Sequence, residues 1–149
     1  MRPGTLDETD PKAVGRRAVN LFTRDKWNCA EAVCGAVAEL TGREIPINLA
    51  TLFGGGMGDM QDACGCLSGA LLALGSVFGR NEPDPAQERR AVAVAAEFRR
   101  QFVKEYGSTR CCELTEGETA DPALRRLCAP MVRRTAERVA EMIRREERE

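Results

Sequence analysis

Histidine is absent from all 149 residues. That absence excludes Ser-His and Cys-His relays, mixed Cys/His zinc sites and C-x-x-C-H haem attachment. Lysine is scarce as well, because only Lys12, Lys26 and Lys104 stand among 22 basic residues. With 23 acidic residues the net charge is −1, which leaves no overall electrostatic footprint for nucleic acid or an anionic membrane. The N-terminus lacks the apolar stretch of a secretory signal, so the expected compartment is the cytoplasm, where thiols stay reduced unless they do redox or metal work. The longest uncharged run, Ala63 to Gly79, is short and glycine-rich for a membrane span and reads as a buried core helix. No C-x-x-C pair is present, which counts against both a zinc ribbon and a thioredoxin-like active site. No segment alternates with period two over a strand's length, and no repeat occurs.

What is present is helical punctuation. Asp10-Pro11 is an N-cap followed by proline at the first helical position, with Val14, Ala18, Leu21 and Phe22 behind it at helical spacing. Asn28 and Glu31 stand three apart as a capping box, opening a helix at Cys29 that ends at Gly42. Ile45 to Phe53 allows a short helical turn. The glycines of Gly54-Gly55-Gly56-Met57-Gly58 then require a loop. No strand precedes this loop and no Gly-Lys-Ser/Thr follows it, so it reads as a hinge giving backbone access to Cys64 rather than as a phosphate cradle. From Asp62 to about Phe78 the chain is apolar nearly all round, with Gly65, Gly69 and Ala73 on one side, which predicts a central helix. Asp84-Pro85 opens a long helix ending at Gly107. Asp121-Pro122 predicts another brief helix and Pro130 a last, separate one. The chain reads as an all-α single domain over 1–149: a bundle of about five to seven helices around an apolar central helix, with loosely ordered ends at 1–10 and 144–149.

Of seven cysteines, Cys29, Cys64, Cys111, Cys112 and Cys128 recur where helices are expected to begin. A helix start carries unpaired N–H groups and the positive end of the macrodipole, so a thiol there loses its proton more easily. Cys34 instead lies on the apolar stripe of its helix and reads as core filler. Cys64 and Cys66 are two apart, about 200° on a regular helix. They can share a target only if Cys64 lies before the first full turn.

Asn28-Cys29-Ala30-Glu31, then Cys64-Gly65-Cys66-Leu67-Ser68-Gly69, then Gly107-Ser108-Thr109-Arg110-Cys111-Cys112 and finally Cys128 resemble the C_GCAxxG_C_C family, described as redox-active, over residues 11 to 145. The resemblance places the family's four hallmark cysteines on Cys29, Cys64, Cys111 and Cys128. It implies alanine in place of Cys66 and a polar residue in place of Cys112, which makes these two thiols, with Cys34, additions. Family members are similar to part of a haem-carrying cytochrome of the split-Soret type. Without histidine this chain cannot supply the usual haem ligand, so that similarity implies fold and not cofactor.

Three readings follow. In the first, Cys64 is the leading nucleophile of a thiol–disulfide or electron-relay protein acting on a redox protein partner, and Cys29, Cys111 and Cys128 are resolving thiols. In the second, those four cysteines, with Cys66 and Cys112 as extra ligands, hold a metal ion or an iron–sulfur cluster. An interaction domain with inert thiols is the third. Nucleic-acid binding and membrane insertion are not expected, and a homodimer is open.

Overall fold

A computed structural model describes residues 10–148; the expected loose ends at 1–9 and at residue 149 lie outside the described residues. Helices account for 71% of the described residues, in the order α1 (Pro11–Thr23), α2 (Cys29–Thr41), a 3-10 helix (Ile47–Phe53), α3 (Gly65–Phe78), α4 (Pro85–Tyr106), α5 (Cys111–Leu114) and α6 (Ala123–Arg148). Among the described residues there is no strand, and no helix is long and apolar enough to cross a membrane.

The local signals set these boundaries. The Asp10 carboxylate accepts from the Lys12 N–H and Asp84 accepts from Gln87 N–H, each beside a proline in the first turn. Gly42 and Gly107 end α2 and α4 in left-handed geometry (φ 71° and 83°). Helix α3 packs against α2, α4, α6 and the 3-10 helix, burying Cys66, Leu67, Ala70, Ala73, Leu74 and Phe78. Its contact with α2 is close enough that a Cβ at Gly69 would lie 2.6 Å from the Ala30 carbonyl oxygen. The expected central helix is thus present, and glycine sets the depth at which it meets α2.

The C-terminal region departs from expectation. The two helices that Asp121-Pro122 and Pro130 predict are one continuous helix, with Pro130 inside it. Proline removes one backbone hydrogen bond and costs about 3 kcal/mol in a helix interior. Against that, Cys128, Met131 and Val132, Thr135 and Ala136, Val139, Met142 and Ile143 are all buried on one stripe that crosses the proline without interruption. Holding both halves against α1, α2 and α3 outweighs the lost bond. Residues 144–148, expected as a loose tail, continue α6, and Glu97–Arg145 and Arg90–Glu146 ion pairs of 2.8 and 2.9 Å tie this end to α4.

Candidate functional site

Three backbone devices bring the cysteines of four distant segments together. The first fixes the start of α2. The Asn28 side chain accepts from Glu31 N–H (2.9 Å), the Glu31 carboxylate accepts from Asn28 N–H (3.0 Å), and Thr51 of the 3-10 helix donates to the same carboxylate (2.7 Å). Cys29 is therefore the first residue of a well-anchored helix. Second, Ala63 and Arg110 form an isolated antiparallel bridge. Around it Cys64 N–H donates to Thr109 (2.8 Å), Cys111 N–H to Asp62 (2.6 Å) and Cys112 N–H to Gln61 (3.1 Å). This zipper sets the start of α5 beside the start of α3. Third, the buried stripe of α6 carries Cys128 to the same place; its position is mid-helix rather than at the helix start expected from Pro130.

Cys64 is the N-cap of α3 with extended backbone (φ −57°, ψ 131°). It thus lies before the first turn, the condition under which it and Cys66 can face one target. They do. The Cys66 thiol interacts with the sulfurs of both Cys29 and Cys64, and Cys29 Sγ presses on Gly65, the residue between the other two. Hydrogen bonding from Cys66 lowers the Cys29 pKa to about 7, aided by the backbone N–H groups of Gly55, Ala30 and Cys29 itself. Cys66 likewise lowers Cys64, with help from the Cys66 and Leu67 N–H groups and against the charge of Cys29. Cys66, fully buried, is raised because its proton serves both neighbours. Two helix N-termini and the glycine loop thus aim amides at one cluster of three sulfurs, the arrangement that stabilises thiolate.

The loop amide comes from an unusual run. Gly55, Gly56, Met57, Gly58, Asp59 and Gln61 all have φ between 58° and 74°. Left-handed geometry costs a residue with a side chain about 1–2 kcal/mol, and here Met57, Asp59 and Gln61 adopt it. Hydrogen bonds from Gln61 N–H to Gly55 and from Asp62 N–H to Gly56, both 2.9 Å, hold the loop. A Cβ at Gly56 would lie 2.7 Å from Cys111 Cβ, so the loop covers Cys111 directly.

A cavity of about 360 Å³ opens onto the cluster, and Cys29, Cys111 and Cys128 all line it. Burial pushes Cys111 up to about 11 and Cys128 to about 12, so both remain thiols at neutral pH. The cavity rim carries Asp59, Glu118, Asp121 and Arg125. Arg125 is a strap: it donates to the Phe22 and Trp27 carbonyls (2.5 and 3.0 Å) and to Asp121 (3.1 Å), and stacks on the Phe22 ring at 4.7 Å.

Cys29, Cys111 and Cys128 share the cavity, and Cys64 stands behind it, only 4% exposed, so it is not at the loop mouth. Cys66 and Cys112, paired in the sequence as additions, separate here. Cys66 is the hub of the cluster, whereas Cys112 is partly exposed and absent from the cavity lining. The Gly55 amide and Gly65 were also missed as site residues. The signal for Gly65 was the Cys-Gly-Cys spacing at a helix start, where a neighbouring sulfur needs a residue without a side chain. Cys34 donates to the Gly69 carbonyl at 3.1 Å and is raised to about 12 by burial, as core filler would be. Among the described residues no group of three or more Cys, Asp or Glu side chains is arranged to hold a metal ion.

The fold and the site together define an all-α protein whose cysteines cluster where the starts of α2 and α3 meet. The family model for "Putative redox-active protein (C_GCAxxG_C_C)" matches residues 27–142, and the chain belongs to that family. No curated protein and no solved structure gives a significant match.

Proposed function

We propose that this protein carries out thiol–disulfide exchange, with Cys29 as the attacking thiolate and Cys64 as the resolving one. The observation that carries the reading is the state of Cys29: lowered to about 7, partly exposed, and lining a cavity. A thiol with a pKa near ambient pH combines a substantial thiolate fraction with retained nucleophilicity. This moves the leading role from Cys64, the residue the sequence favours, because Cys64 is covered and Cys29 is not.

The Cys29 thiolate attacks one sulfur of a partner disulfide. A Cys29–partner bond forms, the partner's S–S bond breaks, and the second partner sulfur leaves as thiolate and takes a proton from solvent. Cys29 is then uncharged. Its charge was one of the influences holding Cys64 up, so capping it favours the Cys64 thiolate, which attacks Cys29 and releases the first partner sulfur. Two thiols of this chain are oxidised to a disulfide and one partner disulfide is reduced to two thiols. Cys66 keeps its proton and passes its hydrogen bond from one thiolate to the other. All seven cysteines are free, the state that a reducing cytoplasm would maintain.

The test is to trap the first intermediate with an aromatic disulfide and map it by mass. Cys64→Ser should accumulate a mixed disulfide on Cys29, and Cys29→Ser should give none at neutral pH. A mixed disulfide on Cys111 or Cys128 in the parent protein would refute the assignment.

A further inference from the structure

The cavity that holds Cys29 adjoins a larger groove, with which it shares two lining residues. Between α1 and α6 lies an open trough of about 980 Å³, and Asp121 and Arg125 line both spaces. Seven basic side chains and only two carboxylates line the trough, in a chain whose net charge is −1. The positive charge is therefore concentrated here and offset elsewhere.

The two carboxylates are already engaged. Asp121 pairs with Arg125 at 3.1 Å. Glu137, 4% exposed, meets Arg133 (3.2 Å), Arg134 (3.4 Å) and Lys12 (4.0 Å). Among the described residues Arg16, Lys26 and Arg126 have no ion pair, and all three are exposed. Val19, Ala129 and Pro130 give the trough apolar footing.

We infer that this trough docks an acidic segment of a partner protein, presenting the partner's disulfide to Cys29; the inference rests on the thiol–disulfide reading above. Charge complementarity names the occupant. An extended chain of alternating carboxylates and small apolar residues matches unpaired cations above an apolar floor, and like-charge partners are rejected. Nucleic acid fits less well, because no aromatic side chain lines the trough for base stacking and Asp121 stands at the end nearest the cavity.

The experiment uses the full chain and a fluorescent, thiol-free peptide rich in glutamate, read by anisotropy. Binding should weaken steeply as salt rises toward about 1 M, where the Debye length is about 3 Å. Arg16→Glu with Arg126→Glu should weaken it about tenfold or more, and Arg16→Gln with Arg126→Gln should weaken it less while leaving fewer repulsive contacts to disturb folding. The inference is overturned if the peptide does not bind, if a serine–glycine peptide of equal length binds as well, if neither double variant alters binding, or if a single-stranded oligonucleotide binds more tightly. A second arm carries the same acidic sequence as an aromatic disulfide. If neither acidic nor neutral disulfide peptide reacts with Cys29, the exchange reading fails while the anisotropy arm still decides the trough. If both react at one rate, the exchange reading stands and the trough has no part in it.

Discussion

The Cys29 sulfur rests against Gly65, so closely that any side-chain carbon at position 65 would fall inside its contact radius. The same carbon would lie 3.0 Å from the Phe53 carbonyl oxygen. The glycine therefore lets the start of α2 and the start of α3 share one cluster of sulfurs, and the electrostatics of Cys29 depend on that approach.

Gly65→Ala should displace Cys29 and separate it from Cys66. The expected result is a slower alkylation of Cys29 at neutral pH, with a stability loss of about 1–3 kcal/mol, as overpacking usually costs. Iodoacetamide labelling with peptide mapping and a thermal melt measure the two effects. A variant that labels and melts like the parent would remove Gly65 from the site.

Cys29 alkylation should follow a titration with its midpoint near pH 7, where its lowered pKa lies, against 9.0 for an ordinary thiol. The reactive thiolate grows as pH rises through that value. Cys66→Ala removes the largest cause of the lowering and should move the midpoint toward 9.0. The rate at pH 6.5 should then fall, while the rate at high pH stays close to the parent's. An unchanged midpoint in Cys66→Ala would mean that helix termini alone set the Cys29 pKa.

The sequence made some of this legible and some not, for physical reasons. The starts of α1, α2 and α4 depend on local chemistry: Asp10 with Pro11, Asn28 with Glu31, Asp84 with Pro85. Neighbours in sequence supply both partners, so reading along the chain finds them. Pro130 misled because its local cost is opposed by burial contributed from three other helices, which no local signal reports. The stripe of Cys128, Val132, Thr135, Val139 and Met142 passing through the proline was the available clue. Cys66 was placed among the additions because the resembling family has alanine there, and its role emerges only once Cys64 sits outside the first turn of α3 with the start of α2 beside it. The glycine loop was visible as a loop, but the left-handed geometry of Met57, Asp59 and Gln61 was not, since those residue types rarely adopt it.

Stability should decline on the alkaline side. Burial holds Cys34 and Cys128 up to about 12 and Cys111 up to about 11, against an ordinary 9.0. These acids are neutral in the fold and ionise first in the unfolded chain. Their contribution is complete below pH 9 and is lost as pH rises toward their folded values, at up to about 1.4 kcal/mol per pH unit for each fully buried thiol. Cys29 has the opposite sign, adding stability between pH 7 and 9, and so does not offset the decline above 9. Urea midpoints at about pH 8 and about pH 10.5 measure the slope. Cys34→Ala should be weaker at pH 8, because it leaves a small cavity, yet lose less between the two pH values. An equally steep decline in that variant would contradict the assignment.

Helix α3 meets α2 at Gly69, where a Cβ would lie 2.6 Å from the Ala30 carbonyl oxygen and 2.9 Å from its Cα. Both are backbone atoms of the first turn of α2, so they cannot swing aside as a side chain would. Gly69→Leu must push the two helices apart, and the start of α2 carries Cys29 with it. The expected cost is about 3 kcal/mol or more, at the upper end of overpacking, together with a rise in the Cys29 alkylation midpoint as the Cys66 contact opens. Cys112→Ser is the contrasting variant: the side chain is partly exposed and outside the cavity lining, so its melt and its Cys29 titration should match the parent within about 0.5 kcal/mol. A thermal melt and the alkylation profile of each variant decide the point. If Gly69→Leu loses stability but keeps the Cys29 midpoint, the α2–α3 contact supports the fold without setting the thiol.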